Sequence, residues 1–184
     1  MSTEAELRQQ VMGWAQGAVA LQVAFVGVAS GALGALYEMG AGSTAAVAER
    51  AGLDAGYLDD WCAAAFAFSL ADWDGAQWRL TELGAMFAPG APGTMMPAAM
   101  QAGFSAHMAD HAVTGLRTGV QPGEAVLAEK PNLARWFGPM LEAGFGALFE
   151  REILPNVPVF GEIGGRGGRA VDLGCGNGWY QRRL

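Results

Sequence analysis

The sequence predicts a mainly α chain that closes on the first strand and glycine-rich loop of an α/β unit. Three observations point there. Apolar residues fill 52% of 184 positions and charged residues only 16%, which supports a packed core and excludes a disordered chain. Apolar side chains recur at three- and four-residue spacing through most of the sequence. Residues 169–184 break that rhythm, with a short apolar run leading straight into glycines at alternate positions.

Composition narrows the function classes. Glycine stands at 28 positions without a three-residue period, so a collagen-like chain is excluded. A net charge of −7 argues against nucleic acid or an anionic membrane as partner. Cys62 and Cys175 lie too far apart to suggest a disulfide framework or a zinc spacing, and a reducing cytoplasm fits them best.

Gln9 to Tyr37 carries no charge, long enough to test against a membrane span. Gln16 and Gln22 interrupt it, Gly and Ala outweigh Leu and Ile, and no basic cluster flanks it. The acidic start MSTEAELRQQ is a poor signal peptide. Trp14, Leu21, Phe25 and Val28 at helical spacing, with small residues between, predict a helix buried in a core or a subunit interface.

The next elements follow from caps and breakers. Leu33, Leu36 and Tyr37 continue a helix that stops at Gly40–Gly42. Ser43 or Thr44 caps a short helix through Ala51, and Gly52 breaks it. Asp54 caps a third helix whose apolar face holds Tyr57, Leu58, Trp61, Cys62, Ala65, Phe66 and Leu70. Trp73 to Trp78 reads as a hairpin around Asp74-Gly75. A short helix from Glu82 to Phe87 ends at Pro89 and Gly90. Three helices and a hairpin are the order of a winged helix. DNA readout is disfavoured, because the third helix carries Asp54, Asp59 and Asp60 and no cation, and the wing adds Asp72 and Asp74.

Pro97 starts a helix running to about Arg117, with Met100, Phe104, His107 and His111 on one face. His107 and His111 have metal-ligand spacing, but there is no third His and no nearby Cys, and Asp110 lies well off their face, so no metal is expected. Residues 119–123 are a loop. From Pro131 to Glu152, Leu133, Trp136, Phe137, Met140, Leu141, Gly144, Phe145 and Leu148 form an apolar stripe opposite Arg135, Glu142 and Arg151. Most of that stripe is core. His107, His111, Met140 and Phe145 are the candidates for a substrate wall.

Gly161 to Gly168 reads as a flexible joint. Beyond it, Arg169 to Leu173 is a short strand, 174–178 a glycine loop and Trp179 the start of a helix. Such glycines let a backbone approach a ligand and leave helix N–H groups to bind its polar end. The string VDLGCGNG resembles the first motif of class I methyltransferases that use S-adenosylmethionine. The order of winged helix, intermediate helices, glycine joint and this motif is similar to that of small-molecule methyltransferases with an N-terminal dimerisation domain.

The resemblance implies an association domain over 1–90, a helical linker and substrate wall over 91–160, and the start of an incomplete Rossmann-like methyltransferase domain over 161–184. It implies that Gly174, Gly176 and Gly178 pass along the methionine part of the cofactor, with Asp172 orienting the loop and Cys175 and Asn177 in the variable positions between. It implies a homodimer through the N-terminal helices and a small-molecule substrate. Six positions follow Gly178 (184 − 178), whereas the acidic residue that grips the ribose is expected roughly 20 beyond the glycine loop. The expectation is therefore an N-terminal portion of an enzyme, inactive alone and without a complete cofactor site, with no catalytic residue assigned. The competing expectation is a winged-helix regulator that senses a ligand.

Overall fold

The structure, a computed structural model, describes residues 2–123, 125–166 and 169–184, the side chains of 164–166 excepted. Two compact units divide the chain, Met1–Pro122 and Gly123–Leu184. The division falls in the loop of residues 119–123.

Helix α1 spans Glu4–Ser30 and opens on a capping box: the Thr3 hydroxyl accepts from the Glu6 amide while the Glu6 carboxylate accepts from Thr3 N–H. The sequence pattern continues this helix to Tyr37, but Gly31 turns left-handed at φ +91° and starts a separate α2, Ala32–Met39. Only the C-terminal part of α1 is covered within this unit. Ala24, Gly27 and Val28 are buried, whereas residues 2–19 are all exposed. By length and composition α1 could also cross a membrane.

Ser43 caps α3, Thr44–Ala51, and left-handed Gly52 closes it. Asp54 caps α4, Ala55–Ala67, by accepting from Tyr57 N–H at 2.8 Å. Strands β1, Ala71–Trp73, and β2, Trp78–Leu80, pair antiparallel with Trp73 opposite Trp78. Gly42 adds a bridge to Trp78. Between the strands, the Asp74 carboxylate accepts from the amides of Ala76 and Gln77, and Gly75 takes φ +99°. Helix α5 covers only Glu82–Ala85, two residues short of the expected end at Phe87. Helix α6 spans Met96–Thr118.

The core of this unit gathers Val28, Leu33, Leu36, Val47, Cys62 and Met100, each completely buried. Full burial of such a side chain contributes roughly 1.5–3 kcal/mol before entropy is counted. Of the expected α4 face, Leu58, Trp61, Cys62 and Ala65 are buried, and so is Leu70 just beyond the helix, but Tyr57 and Phe66 are exposed. Helices α1 and α6 approach closely because Gly103 leaves room for the Phe25 ring, and Gln22 donates to the Ala102 carbonyl at 3.2 Å.

The second unit begins with two short helices, α7 (Ala125–Ala128) and α8 (Pro131–Ala134). The stripe expected to form one helix over 131–152 is divided. Helix α9 is Phe137–Leu148, followed by a π-helical turn at Phe149–Ile153. Pro139 supplies the reason: it fits a first helical turn but cannot sit inside a helix continuing from Arg135. Helices α10 (Leu154–Asn156) and α11 (Pro158–Arg166) follow. The expected joint is thus helical up to Arg166, since Pro158 suits a first turn and Phe160 anchors the helix on Phe149 with ring centroids 5.8 Å apart. Gly167 and Gly168, the rest of that joint, lie outside the described residues.

Two further expectations change. Residues 169–173 form no strand, because no other strand exists among the described residues of this unit to complete the hydrogen bonds. Val171 and Leu173 are accordingly 83% and 92% exposed. The helix expected from Trp179 is reduced to a 3₁₀ turn at Gln181–Arg183.

Candidate functional site

The site is built in the second unit around Phe149, which is 1% exposed. Its ring meets Tyr180 at 4.4 Å and Trp179 at 6.0 Å between centroids, and Phe160 stands 5.9 Å from Tyr180. This cluster fixes the residues that immediately follow the glycine loop.

The loop has a conformation that its sequence dictates. Gly174, Gly176 and Gly178 take φ of +86°, +55° and +71°, a region that costs other residues roughly 1–2 kcal/mol each. Gly178 N–H donates to the Cys175 carbonyl at 2.8 Å, and Trp179 N–H donates to Asn177 Oδ1 at 3.2 Å. Gly138 on α9 lets Asn177 seat against the helix: a Cβ there would lie 2.5 Å from Asn177 Cγ.

Loop and aromatic residues border a cavity of about 640 Å³, within the range of small-molecule sites. Asp172, Gly174, Cys175, Gly176 and Asn177 line one part, and Phe137, Leu141, Phe160, Ile163, Trp179 and Tyr180 supply apolar wall. Gly178 shapes the loop without lining the cavity. A backbone that turns left-handed three times beside an apolar wall, with Asp172 among the lining residues, fits an organic cofactor with a polar end.

The other candidates are placed elsewhere. Met140 is buried in α9 and Phe145 is half-exposed on it; neither lines this cavity. His107 and His111 belong to α6 in the first unit, their rings edge to face with centroids 5.0 Å apart. Sequence reading missed the pocket roles of Phe137, Phe160, Trp179 and Tyr180. The signal was present for the last two, as adjacent aromatics directly after the glycines.

Charge beside the loop is organised by Glu142. Its Oε2 accepts from Arg182 Nη2 at 3.1 Å and its Oε1 from Arg183 Nη2 at 3.0 Å; Arg183 also reaches Glu150. The hydrogen bond to Glu142, with the charges of Glu150 and Glu142, raises the Arg183 pKa above its ordinary value against desolvation.

No protein-family model matches the chain, and no curated protein does. Solved structures do. Human N-acetylserotonin methyltransferase, determined in complex with SAM, matches with a TM-score of 0.57 at 19% identity, covering 84% of this chain and 50% of that one. N,N-8-amino-8-demethyl-D-riboflavin dimethyltransferase from Streptomyces davawensis matches with a TM-score of 0.56 at 23% identity, covering 84% and 48%. The chain spans about half the length of these structures. Over that half it shares the fold of methyltransferases.

Proposed function

We propose that this chain is the N-terminal portion of an S-adenosylmethionine-dependent methyltransferase acting on a small molecule. The observation that carries the reading is the run of three left-handed glycines in VDLGCGNG, of which Gly174 and Gly176 border an aromatic-walled cavity. Gly174, Gly176 and Gly178 let the backbone run beside the methionine part of the cofactor, Asp172 orients the loop, and Cys175 and Asn177 occupy the positions between. The cofactor supplies an electrophilic methyl group when bound. The protein's part is to hold an acceptor in line with it, so positioning dominates.

The first unit serves association in this reading, as a winged-helix-like domain, in the cytoplasm. Its three short helices and hairpin support that assignment, together with the uncovered half of α1. A second copy of the chain is the partner, through α1. Gln9, Gln10 and Gln16 in the exposed half favour a protein partner over a bilayer. A ligand-sensing regulator is the competing reading, supported by the same helix and hairpin order. The acidic α4, with Asp54, Asp59 and Asp60, weighs against it. Sequence-specific duplex binding in a gel shift at physiological salt would reverse that preference.

Calorimetry with S-adenosylmethionine decides the main reading. Binding is expected from a form extended beyond residue 184 and not from the 184-residue chain, because among the described residues of its second unit no strand pairs with residues 169–173. Micromolar binding by the shorter chain overturns the need for further strands. Silence from both forms overturns the cofactor assignment.

A further inference from the structure

We propose that Glu142 is a positioning residue for the glycine loop, acting through Arg182, so that helix α9 and the loop move as one body. The inference rests on the methyltransferase reading for its purpose, though not for its geometry.

Helix α9 turns one stripe toward the loop: Gly138, Glu142 and Gly146, four residues apart and therefore on one face. Each member has a partner from the segment that contains and follows the loop. Gly138 receives the Asn177 side chain; no residue with a Cβ could sit there without displacing it. Glu142 divides its carboxylate between Arg182 and Arg183. Gly146 leaves space for the Arg183 guanidinium, whose Cζ would lie 3.2 Å from an added Cβ.

Arg182 makes the connection that matters. While Nη2 is held by Glu142, Nη1 donates to the carbonyl of Asn177 at 2.6 Å. That carbonyl belongs to the peptide between Asn177 and Gly178, in the stretch where Gly176 and Gly178 are left-handed. Glycine peptides have many accessible orientations, so a charged donor on one carbonyl selects among them. The Glu142 side chain is 28% exposed and that of Arg182 57%, so solvent partly screens this pair and its effect is modest. Helix α9 itself does not need Glu142, because alanine has the higher helix propensity. A loss on substitution therefore reports on the loop.

Amide hydrogen exchange on the 184-residue chain tests this without any ligand. Gly178 and Trp179 are the reporters, since their N–H groups close the turn onto Cys175 and Asn177. Glu142→Ala is expected to speed their exchange about fivefold, the scale of one partly exposed ion pair. Glu142→Gln, which keeps an acceptor oxygen, is expected to recover part of that protection. Arg182→Ala is expected to match Glu142→Ala, and the double variant to add nothing further. Unchanged exchange in Glu142→Ala, or strict additivity with Arg182→Ala, overturns the proposal. S-adenosylmethionine titration of the extended wild-type form separates the two ideas. Absent binding there removes the cofactor reading while exchange coupling persists, whereas binding with unchanged exchange removes the role of Glu142.

Discussion

The indole N–H of Trp61 donates to the carbonyl of Val23 at 3.0 Å, tying α4 to α1 across 38 residues of sequence. The ring reaches that carbonyl only because Gly27 has no side chain. A Cβ at Gly27 would press on Trp61 and lie 2.9 Å from the Leu33 side chain. Gly27→Ala is therefore expected to destabilise the first unit by about 1–3 kcal/mol, as overpacking does, despite the better helix propensity of alanine. Urea denaturation followed by circular dichroism measures it. A neutral or stabilising result would show that the Trp61 contact is dispensable.

The Asp74 carboxylate organises the hairpin turn. Its pKa is lowered from the ordinary value chiefly by the Gln77 and Ala76 amides, with Arg79 contributing through its hydrogen bond and charge. A lowered folded-state pKa means that the charged form stabilises the fold above the ordinary carboxylate range. This contribution is lost as pH falls through the lowered value. Trp73 and Trp78, with ring centroids 4.8 Å apart, provide a coupled ultraviolet circular dichroism signal as reporter. That signal is expected to hold from neutral pH down to roughly pH 4 and to fade below it. Asp74→Asn is expected to weaken the hairpin at neutral pH and to remove this component of the acid response. An identical acid transition in both proteins would refute the role of Asp74.

These local features explain what could be read in advance. Ser43, Asp54, Gly40, Gly52 and the Asp74-Gly75 turn act through their own or adjacent backbone, so sequence spacing suffices to locate them. Gly31 is less legible, because a glycine within an apolar helical pattern also fits the helix interior, whereas here it takes φ +91°. Residues 169–173 show the opposite limit: their apolar pattern is that of a strand, but strand formation depends on partners that periodicity does not reveal. At the site, the glycines are legible because their backbone requirement is intrinsic. The Glu142–Arg182 contact, joining residues 40 apart in sequence, leaves no local mark.

The two cysteines are expected to react very differently. Cys62 is completely buried, and that burial, helped by the charge of Asp59, pushes its thiol up to about 12. Cys175 is exposed in the glycine loop. Because the thiolate is the reactive species, a disulfide-exchange reagent at pH 8 should label Cys175 in the native chain and Cys62 only after denaturation. Cys175→Ser should then leave the native chain unlabelled. Rapid native labelling of Cys62 would mean that the helix core opens readily.

The motif glycines separate conformational from steric demands. A Cβ on Gly174 or Gly176 meets nothing within 4 Å, so alanine there is resisted by φ alone. Gly176→Ala is expected to cost about 1–2 kcal/mol locally and to weaken S-adenosylmethionine binding by the extended form about tenfold, since 1.4 kcal/mol is one decade. The melting temperature of the first unit should stay unchanged. Full retention of binding in Gly176→Ala would argue that the left-handed turn at that residue is not needed to hold the cofactor.

Leu7, Val11 and Trp14 lie at three- and four-residue spacing on the part of α1 that this chain leaves uncovered, with Trp14 66% exposed. Helical spacing places them along one face. A continuous apolar stripe of this kind is unusual on a monomer and suits a symmetric contact with a second copy. Replacing both Val11 and Trp14 with Glu puts charge into that contact while touching no residue of the buried core. Light scattering is expected to report a dimer for the wild-type chain and a monomer for the double variant, with little change in far-ultraviolet circular dichroism. A monomeric wild type would end the association reading. A wild type that instead floats with lipid vesicles would assign the same stripe to a bilayer, which the length of α1 permits.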